Sequence, residues 1–181
     1  MNVLLAVSGG IAAYKACDLC SILVKANHNV RVMMTQNAQH FVGQISFEGL
    51  TNNPVVQDSF DYSYSPMEHI ELPRWCDIMV LAPCSMNLLT KISLGLCDDV
   101  VSTSVAALPQ TTPLVIAPAM NTHMWTSPAN QRNVELLQRS SRYTIVPPVA
   151  KRLACGDVGM GGLAEVSDIV SVITKLVSNS N

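Results

Sequence analysis

Short apolar runs alternate with longer amphipathic stretches along the chain. Runs rich in β-branched residues predict strands at residues 2–7, 30–35, 77–82, 114–117 and 143–146. Apolar positions at helical spacing predict helices at residues 11–26, 85–93, 98–107, 128–139 and 167–176. Near-continuous apolar strands between helices are typical of a parallel sheet covered on both faces. The pattern therefore predicts an α/β fold: a doubly wound parallel sheet, flavodoxin-like or Rossmann-like, in three layers.

The chain shows no internal boundary. No linker, repeat or low-complexity stretch interrupts its 181 residues, so we expect a single domain over residues 1–181. Residues 51–67 form the one long segment without a clear pattern. We expect this segment to be a surface excursion.

The composition is more apolar than a lone globule of this size needs. Hydrophobic residues make up 49% of the chain and charged residues 13%, which predicts large interfaces between subunits. The net charge of −2, without a basic cluster, argues against nucleic-acid and anionic-membrane partners. Cys17 and Cys20 form a C-x-x-C, but no second pair completes a zinc set, so no metal is expected. With no secretory signal at Met1, we expect a cytoplasmic protein with reduced thiols.

Small and polar residues follow four of the predicted strands. In an open doubly wound sheet, ligands bind outside the carboxyl ends of the strands, so these residues are candidates for ligand binding. They are Ser8, Gly9, Gly10 and Ile11, then Thr35, Gln36 and Asn37, then Ser85, Met86 and Asn87, and finally Ala119, Met120 and Asn121.

The turn at residues 8–10 is a candidate anion site. It precedes a helix, so its backbone N–H groups lie at the positive helix end. It is not a G-x-G-x-x-G motif, and no acidic residue at the second strand marks a ribose contact, which argues against a dinucleotide. A mononucleotide phosphate fits better, with Ser85 and Asn87 as further donors. Ser85 fits a plain helix N-cap equally well.

A glycine-rich segment at residues 151–162 contains one thiol, Cys155. Lys151 and Arg152 precede the thiol and Asp157 follows it. This composition is typical of a flap that closes over an anionic substrate, and a packing role would not need it. The two cations are equally well explained as solvated loop charges.

Three segments together match one family. They are this flap, the sequence His-Ile-Glu-Leu-Pro-Arg-Trp at residues 69–75, and Pro-Ala-Met-Asn-Thr-His-Met-Trp at residues 118–125. With them the chain resembles the phosphopantothenoylcysteine decarboxylases, which belong to the flavoprotein family of cysteine decarboxylases. The resemblance runs from residues 7–10 to the last helix.

The resemblance implies flavin mononucleotide (FMN) as cofactor. Two residues depart from the family's pattern: Met86 replaces a small residue and Leu88 replaces a hydroxyl that bonds a phosphate oxygen. Losing that donor should weaken flavin binding by about 1.5–3 kcal/mol unless water substitutes. The implied cofactor-binding residues are Ser8, Gly9, Gly10, Ile11, Thr35, Gln36, Asn37, Ser85, Met86, Asn87, Leu88 and Ala119.

The implied reaction is the decarboxylation of 4′-phospho-N-pantothenoylcysteine to 4′-phosphopantetheine, a step of coenzyme A biosynthesis. The flavin oxidises the substrate thiol to a thioaldehyde, carbon dioxide leaves, and the reduced flavin returns its electrons. The resemblance implies His69 as the base and Cys155 as the final proton donor. Without the resemblance, a lone histidine is more often a surface residue and a loop cysteine is more often inert. The implied substrate-binding residues are Met120, Asn121, Lys151, Arg152, Ala154 and Gly156.

The resemblance also bears on assembly. Similar enzymes are homotrimers, or homododecamers built from trimers, in which the histidine and the flavin meet across a trimer contact. The chain fits the single-domain form of the enzyme, and the decarboxylase part of a bifunctional protein would look the same.

Three other functions are compatible with a flavoprotein of this fold. Oxidative decarboxylation of a peptide's C-terminal cysteine would stop at the enethiol and would not need Cys155. Prenyl transfer to flavin would need an arginine- and glutamate-rich signature that the chain lacks after the strand at residues 114–117. A non-catalytic flavoprotein that regulates a phosphatase usually carries a long acidic tail. Here the chain stops at Asn181 after a short polar stretch, and it retains both His69 and Cys155, which argues against this function.

Overall fold

A six-stranded parallel sheet forms the centre of the fold. The computed structural model describes residues 1–58, 67–152, 156 and 158–178. The strands lie in the order β3-β2-β1-β4-β5-β6, and every neighbouring pair is parallel. The fold class predicted from the sequence is therefore confirmed. The strands are β1 (Asn2–Val7), β2 (Asn29–Met34), β3 (Val55–Val56), β4 (Ile78–Cys84), β5 (Leu114–Pro118) and β6 (Tyr143–Ile145).

Helices connect the strands, and an antiparallel hairpin of β7 (Val149–Arg152) and β8 (Val158–Gly162) follows the sheet. The chain from Gly10 first makes a 3₁₀ helix, Ile11–Tyr14, and then continues as α1. The helices are α1 (Lys15–Lys25), α2 (Gln44–Thr51), α3 (Glu68–Trp75), α4 (Met86–Leu94), α5 (Val100–Ala107), α6 (Thr122–Thr126), α7 (Pro128–Gln138) and α8 (Val166–Ser178).

Each face of the sheet carries its own apolar core. Val3, Leu5 and Val7 of β1 pack with α1, α2 and α8, whereas Leu4 and Ala6 pack with α3, α4, α5 and α7. All five side chains are fully buried, because successive residues of a strand point to opposite faces. Burying one such valine or leucine contributes about 1.5–3 kcal/mol, which explains why the strand is apolar from Val3 to Val7.

The expectation of a surface excursion at residues 51–67 is wrong for its first part. Val55 and Val56 form the edge strand β3 and are buried against β2. A two-residue strand is too short for an alternation pattern, so the sequence offered no periodic signal for it. Residues 59–66 lie outside the described part of the chain.

The strand order creates a crevice between the carboxyl ends of β1 and β4. The chain leaves β1 towards β2 on one side, and β4 pairs with β1 on the other side. Ligands in open parallel sheets bind at such a reversal, which directs attention to the turns that follow these two strands. Within the described ranges, none of the helices is both long enough and apolar enough to span a membrane.

Candidate active site

The turns after β1 and β4 are joined by one buried hydroxyl. Ser8 Oγ donates a hydrogen bond to the Pro83 carbonyl at 2.8 Å and accepts one from the Ser85 backbone N–H at 2.7 Å. The Ser8 side chain is therefore engaged in holding the two turns together and does not line the crevice. Its predicted role in cofactor binding stays a prediction. The structure shows that Ser8 joins the turn after β1 to the turn after β4 at Ser85.

Gly9 is required by the close approach of the chain after β2. A Cβ atom at this position would lie 2.7 Å from Asn37 Cβ and 2.9 Å from the Asn37 carbonyl carbon and oxygen. Contacts this short cannot exist without a backbone shift, so only glycine lets the two post-strand segments meet. At Gly10 a Cβ would meet nothing within 4 Å, so the space beside it is open.

A cavity of about 670 Å³ opens over these turns. It lies at the carboxyl ends of β1, β4 and β5, with the hairpin of β7 and β8 along one side. The structure brings together these predicted residues in its wall: Gly9, Gly10, Ile11, Ser85, Met86, Ala119, Met120, Asn121, Lys151 and Arg152.

Ser85 and its neighbours begin helix α4. Ser85 is the N-cap, and its Oγ accepts a hydrogen bond from the Leu88 N–H at 3.3 Å, so the capping interpretation is confirmed. Met86 lines the cavity, whereas Asn87 is exposed outside it. The Leu88 side chain is buried in the core beneath the helix. The contacts of Asn87 and Leu88 with a cofactor stay predictions.

The segment after β2 places an unsatisfied hydroxyl beside the glycine turn. Thr35 Oγ1 is buried and has no hydrogen-bond partner among the described residues. Gln36 and Asn37 are exposed in a short 3₁₀ helix, Gln36–His40. Since a buried hydroxyl normally finds a partner, Thr35 is suited to bond a ligand atom, and its role stays a prediction.

Asn121 caps the short helix α6. Its Oδ1 accepts a hydrogen bond from the His123 N–H at 2.8 Å, so the side chain acts as the N-cap of the helix. The preceding Met120 N–H donates to the Gly161 carbonyl at 2.8 Å, so strand β8 is fastened to this turn. Gly161 has φ +138°, and a Cβ there would overlap the Met120 carbonyl. Glycine is thus needed for the hairpin to reach the site.

The hairpin brings two cations to the cavity. Lys151 Nζ donates to the Leu163 carbonyl at 2.5 Å and lies 3.6 Å from Glu165 Oε1. Burial lowers the pKa of Lys151, and the nearby Lys15 ammonium lowers it further. Gly156 lies exposed at the hairpin tip with φ +94°. Ala154 and Cys155 lie outside the described residues, so their predicted roles remain predictions.

His69 lies away from the cavity of its own chain. It occupies the first turn of α3, and Ser104 Oγ of α5 donates to its carbonyl at 3.4 Å. Its Nδ1 is buried and has no partner within the described ranges. His69 is the second residue of α3, which begins at Glu68.

Three thiols in β4 and α1 are inert. Burial raises the pKa of Cys84, at the end of β4, far above that of an ordinary thiol. Burial also raises the pKa of Cys17, and it raises that of Cys20 to about 12. These three groups stay protonated at neutral pH, so none of them is a thiolate nucleophile.

Sequence reasoning missed several residues of the cavity wall, including Tyr14, Lys15, Met124 and Leu163. A signal existed for Lys15, because it follows Ile11 by four residues and the two share one face of a helical segment. Leu163 carried no signal, since its place depends on how the hairpin folds back onto Met120.

Comparison with known proteins identifies the family of the chain. The family described as Flavoprotein matches residues 1–178. The chain is 43% identical over 175 residues to the coenzyme A biosynthesis bifunctional protein CoaBC of Bacillus subtilis, covering 96% of this chain and 42% of that protein. It therefore spans less than half the length of that relative.

Two solved structures match nearly end to end. A cysteine-to-serine mutant of PPC decarboxylase, complexed with pantothenoylaminoethenethiol, superimposes with a TM-score of 0.86 at 38% identity and covers 98% of both chains. The FMN binding protein AtHal3 superimposes with a TM-score of 0.82 at 39% identity and covers 99% of this chain and 97% of its own. The chain therefore belongs to the flavoprotein family, with a phosphopantothenoylcysteine (PPC) decarboxylase among its structural relatives.

Proposed function

We propose that this protein decarboxylates 4′-phospho-N-pantothenoylcysteine to 4′-phosphopantetheine with FMN as cofactor. The observation that carries the proposal is the cavity itself. The glycine turn, the start of α4, Asn121 and the hairpin cations converge on one space, as a flavin-dependent enzyme acting on an anionic substrate requires. A relative complexed with pantothenoylaminoethenethiol supports the same substrate class.

The residues present fit a flavin mononucleotide. A volume of about 670 Å³ lies within the range of small-molecule sites, roughly 300–1,000 Å³. Gly9 and Gly10 leave backbone N–H groups free of side-chain cover, and the unsatisfied Thr35 hydroxyl lies in the adjoining segment. Ile11, Ser85, Met86 and Ala119 complete the wall on that side. When bound, FMN supplies a two-electron acceptor that the protein's own side chains cannot provide.

Each proposed catalytic group has a separate task. The Asn121 side-chain amide binds the substrate carboxylate and orients it for loss of carbon dioxide. The His69 imidazole accepts a proton from the substrate during the oxidation. Cys155 Sγ donates the proton that completes the product, since an ordinary thiol is protonated at neutral pH. Lys151 and Arg152 offset the negative charge of the substrate.

Assembly completes the site in this proposal. His69 does not reach the cavity of its own chain, so a neighbouring subunit supplies the histidine. Ile11 is 62% exposed and Tyr14 56% exposed at the cavity edge, which is the apolar surface that such a neighbour would cover. We propose a homotrimer, or a homododecamer built from trimers.

A turnover assay tests the function. Purified protein reconstituted with FMN is incubated with phosphopantothenoylcysteine, and carbon dioxide and product are followed by mass spectrometry. The expected product is phosphopantetheine. Release of only an enethiol, two hydrogens lighter, would move the assignment to the peptidyl-cysteine class. A protein that binds no flavin would refute the proposal.

Two variants separate the chemical steps. His69→Asn should retain FMN and release no carbon dioxide, because the proton acceptor is lost. Cys155→Ser should release carbon dioxide and accumulate the enethiol, because the last proton donor is lost. Cys97→Ser, which removes an exposed thiol away from the cavity, is the matched control and should behave as the parent protein.

A further inference from the structure

Two lysines share one carboxylate at the edge of the cavity. Lys15 Nζ lies 3.9 Å from Glu165 Oε2, and Lys151 Nζ lies 3.6 Å from Glu165 Oε1. The lysine side chains are only 22% and 30% exposed, whereas Glu165 is 59% exposed. Both lysines line the cavity. Lys15 comes from the start of α1 and Lys151 from the hairpin, so two distant segments bring their charges together.

The charges of this group do not cancel. Two ammonium groups face one carboxylate, and Arg152 adds a further cation to the same wall. The better-solvated Glu165 offsets little of this charge, and the lowered pKa of Lys151 reflects both burial and the neighbouring Lys15. A partly buried pair of like charges at a cavity is stabilised by an anion that carries close to two negative charges, which is the charge of a phosphate monoester.

We infer that Lys15, together with Lys151, binds the phosphate of the substrate, and that Lys15 is a determinant of specificity for the phosphorylated substrate. This inference rests on the proposed function and adds a residue and a recognition rule to it. Glu165 offsets part of the repulsion between the two lysines before the substrate binds. The phosphate then supplies the negative charge that the single carboxylate does not.

The position of the lysines favours the phosphate of the substrate over that of the cofactor. Both ammonium groups converge on Glu165, which follows the hairpin directly, and the hairpin is bonded to the Met120 turn next to Asn121. This is the wall assigned to the substrate. The cofactor phosphate is assigned to the backbone N–H groups at the glycine turn, which needs no lysine.

Steady-state kinetics on two substrates test the inference. The parent protein should turn over phosphopantothenoylcysteine with a much lower KM than pantothenoylcysteine, which lacks the phosphate. Lys15→Met should raise KM for the phosphorylated substrate about 10- to 100-fold, the effect of losing a hydrogen bond between charged groups. The kcat should change little, since the phosphate is remote from the reacting carbon. KM for the unphosphorylated substrate should be unchanged.

Control variants separate recognition from folding. Lys25→Met makes the same change at the far, exposed end of the same helix and should leave both KM values unchanged. Lys15→Arg should restore part of the preference, because it keeps the charge. Glu165→Gln should not raise KM for the phosphorylated substrate, because it removes only negative charge. If Lys15→Met or Glu165→Gln raised KM by the same factor for both substrates, the lysines and Glu165 would only support the hairpin. That result would overturn the inference.

Binding measurements keep the test independent of turnover. Calorimetric titration of the FMN-loaded protein with phosphopantothenate and with pantothenate should show a preference for the phosphorylated compound that Lys15→Met loses. Absence of that preference in the parent protein refutes the role of Lys15, whereas absence of decarboxylation refutes the proposed function. Titration of the apoprotein should show equal FMN affinity for parent and Lys15→Met. A loss confined to FMN, with riboflavin unaffected, would reassign the lysines to the cofactor phosphate.

Discussion

Replacement of Gly9 by alanine is the sharpest test of how the site is built. The added methyl group would lie 2.7 Å from Asn37 Cβ and 2.9 Å from the Asn37 carbonyl carbon and oxygen. Two of these three atoms belong to the backbone, so no side-chain rotation can relieve the overlap. Either the glycine turn or the 3₁₀ helix that contains Asn37 must move.

The structure sets the expected magnitude. Forcing a methyl group into a closely packed place costs about 1–3 kcal/mol, and a domain of this size loses about 2–4 °C of melting temperature for each kcal/mol. Gly9→Ala should therefore melt several degrees below the parent protein in the absence of flavin. The displaced turn should also weaken FMN binding, because Gly9 lies in the cavity wall.

Gly10→Ala is the matched control. A Cβ there meets nothing within 4 Å, and φ 166° with ψ 160° is an extended conformation open to any residue. The apoprotein of this variant should unfold like the parent. Urea denaturation of the three apoproteins, followed by circular dichroism, measures the difference. Equal midpoints for Gly9→Ala and Gly10→Ala would show that the contact with Asn37 is not what requires glycine at position 9.

Other substitutions test single interactions at the site. Ser8→Ala should lower the free energy of unfolding by about 1–3 kcal/mol, because the Ser85 N–H loses its buried acceptor. Ser171→Ala, on the exposed face of α8, should change it by less than about 0.5 kcal/mol in the same urea titration. Asn121→Asp should preserve thermal stability, because a carboxylate oxygen still caps α6, but abolish decarboxylation, because the amide donors are replaced by a negative charge; a large fall in melting temperature would contradict this. Leu88→Thr should destabilise the protein by at least about 2 kcal/mol and give no gain in FMN affinity in a fluorescence titration, because the side chain lies in the core; tighter FMN binding would contradict the placement.

Local pattern was sufficient for much of the fold and part of the site. The apolar runs located five of the strands, because a strand buried on both faces must be apolar along its whole length. Parallel strands place their carboxyl ends at one edge, so the residues after them could be gathered into one candidate site. Eight of those candidates line the cavity, among them Gly9, Ser85 and Asn121. The serine at the start of the predicted helix at residues 85–93 also indicated that Ser85 is an N-cap.

Long-range contacts decided the rest. The resemblance implies Leu88 as a cofactor-binding residue, yet the helical rotation of α4 turns its side chain into the core. Residues such as Lys15, Lys151 and Glu165 are far apart in sequence, and only the folding of the hairpin back onto the Met120 turn brings their charges together. The separation of His69 from the cavity likewise follows from the packing of α3 on α5. A sequence of side chains fixes which segments are apolar, whereas the distance between two charges depends on the path of the whole chain between them.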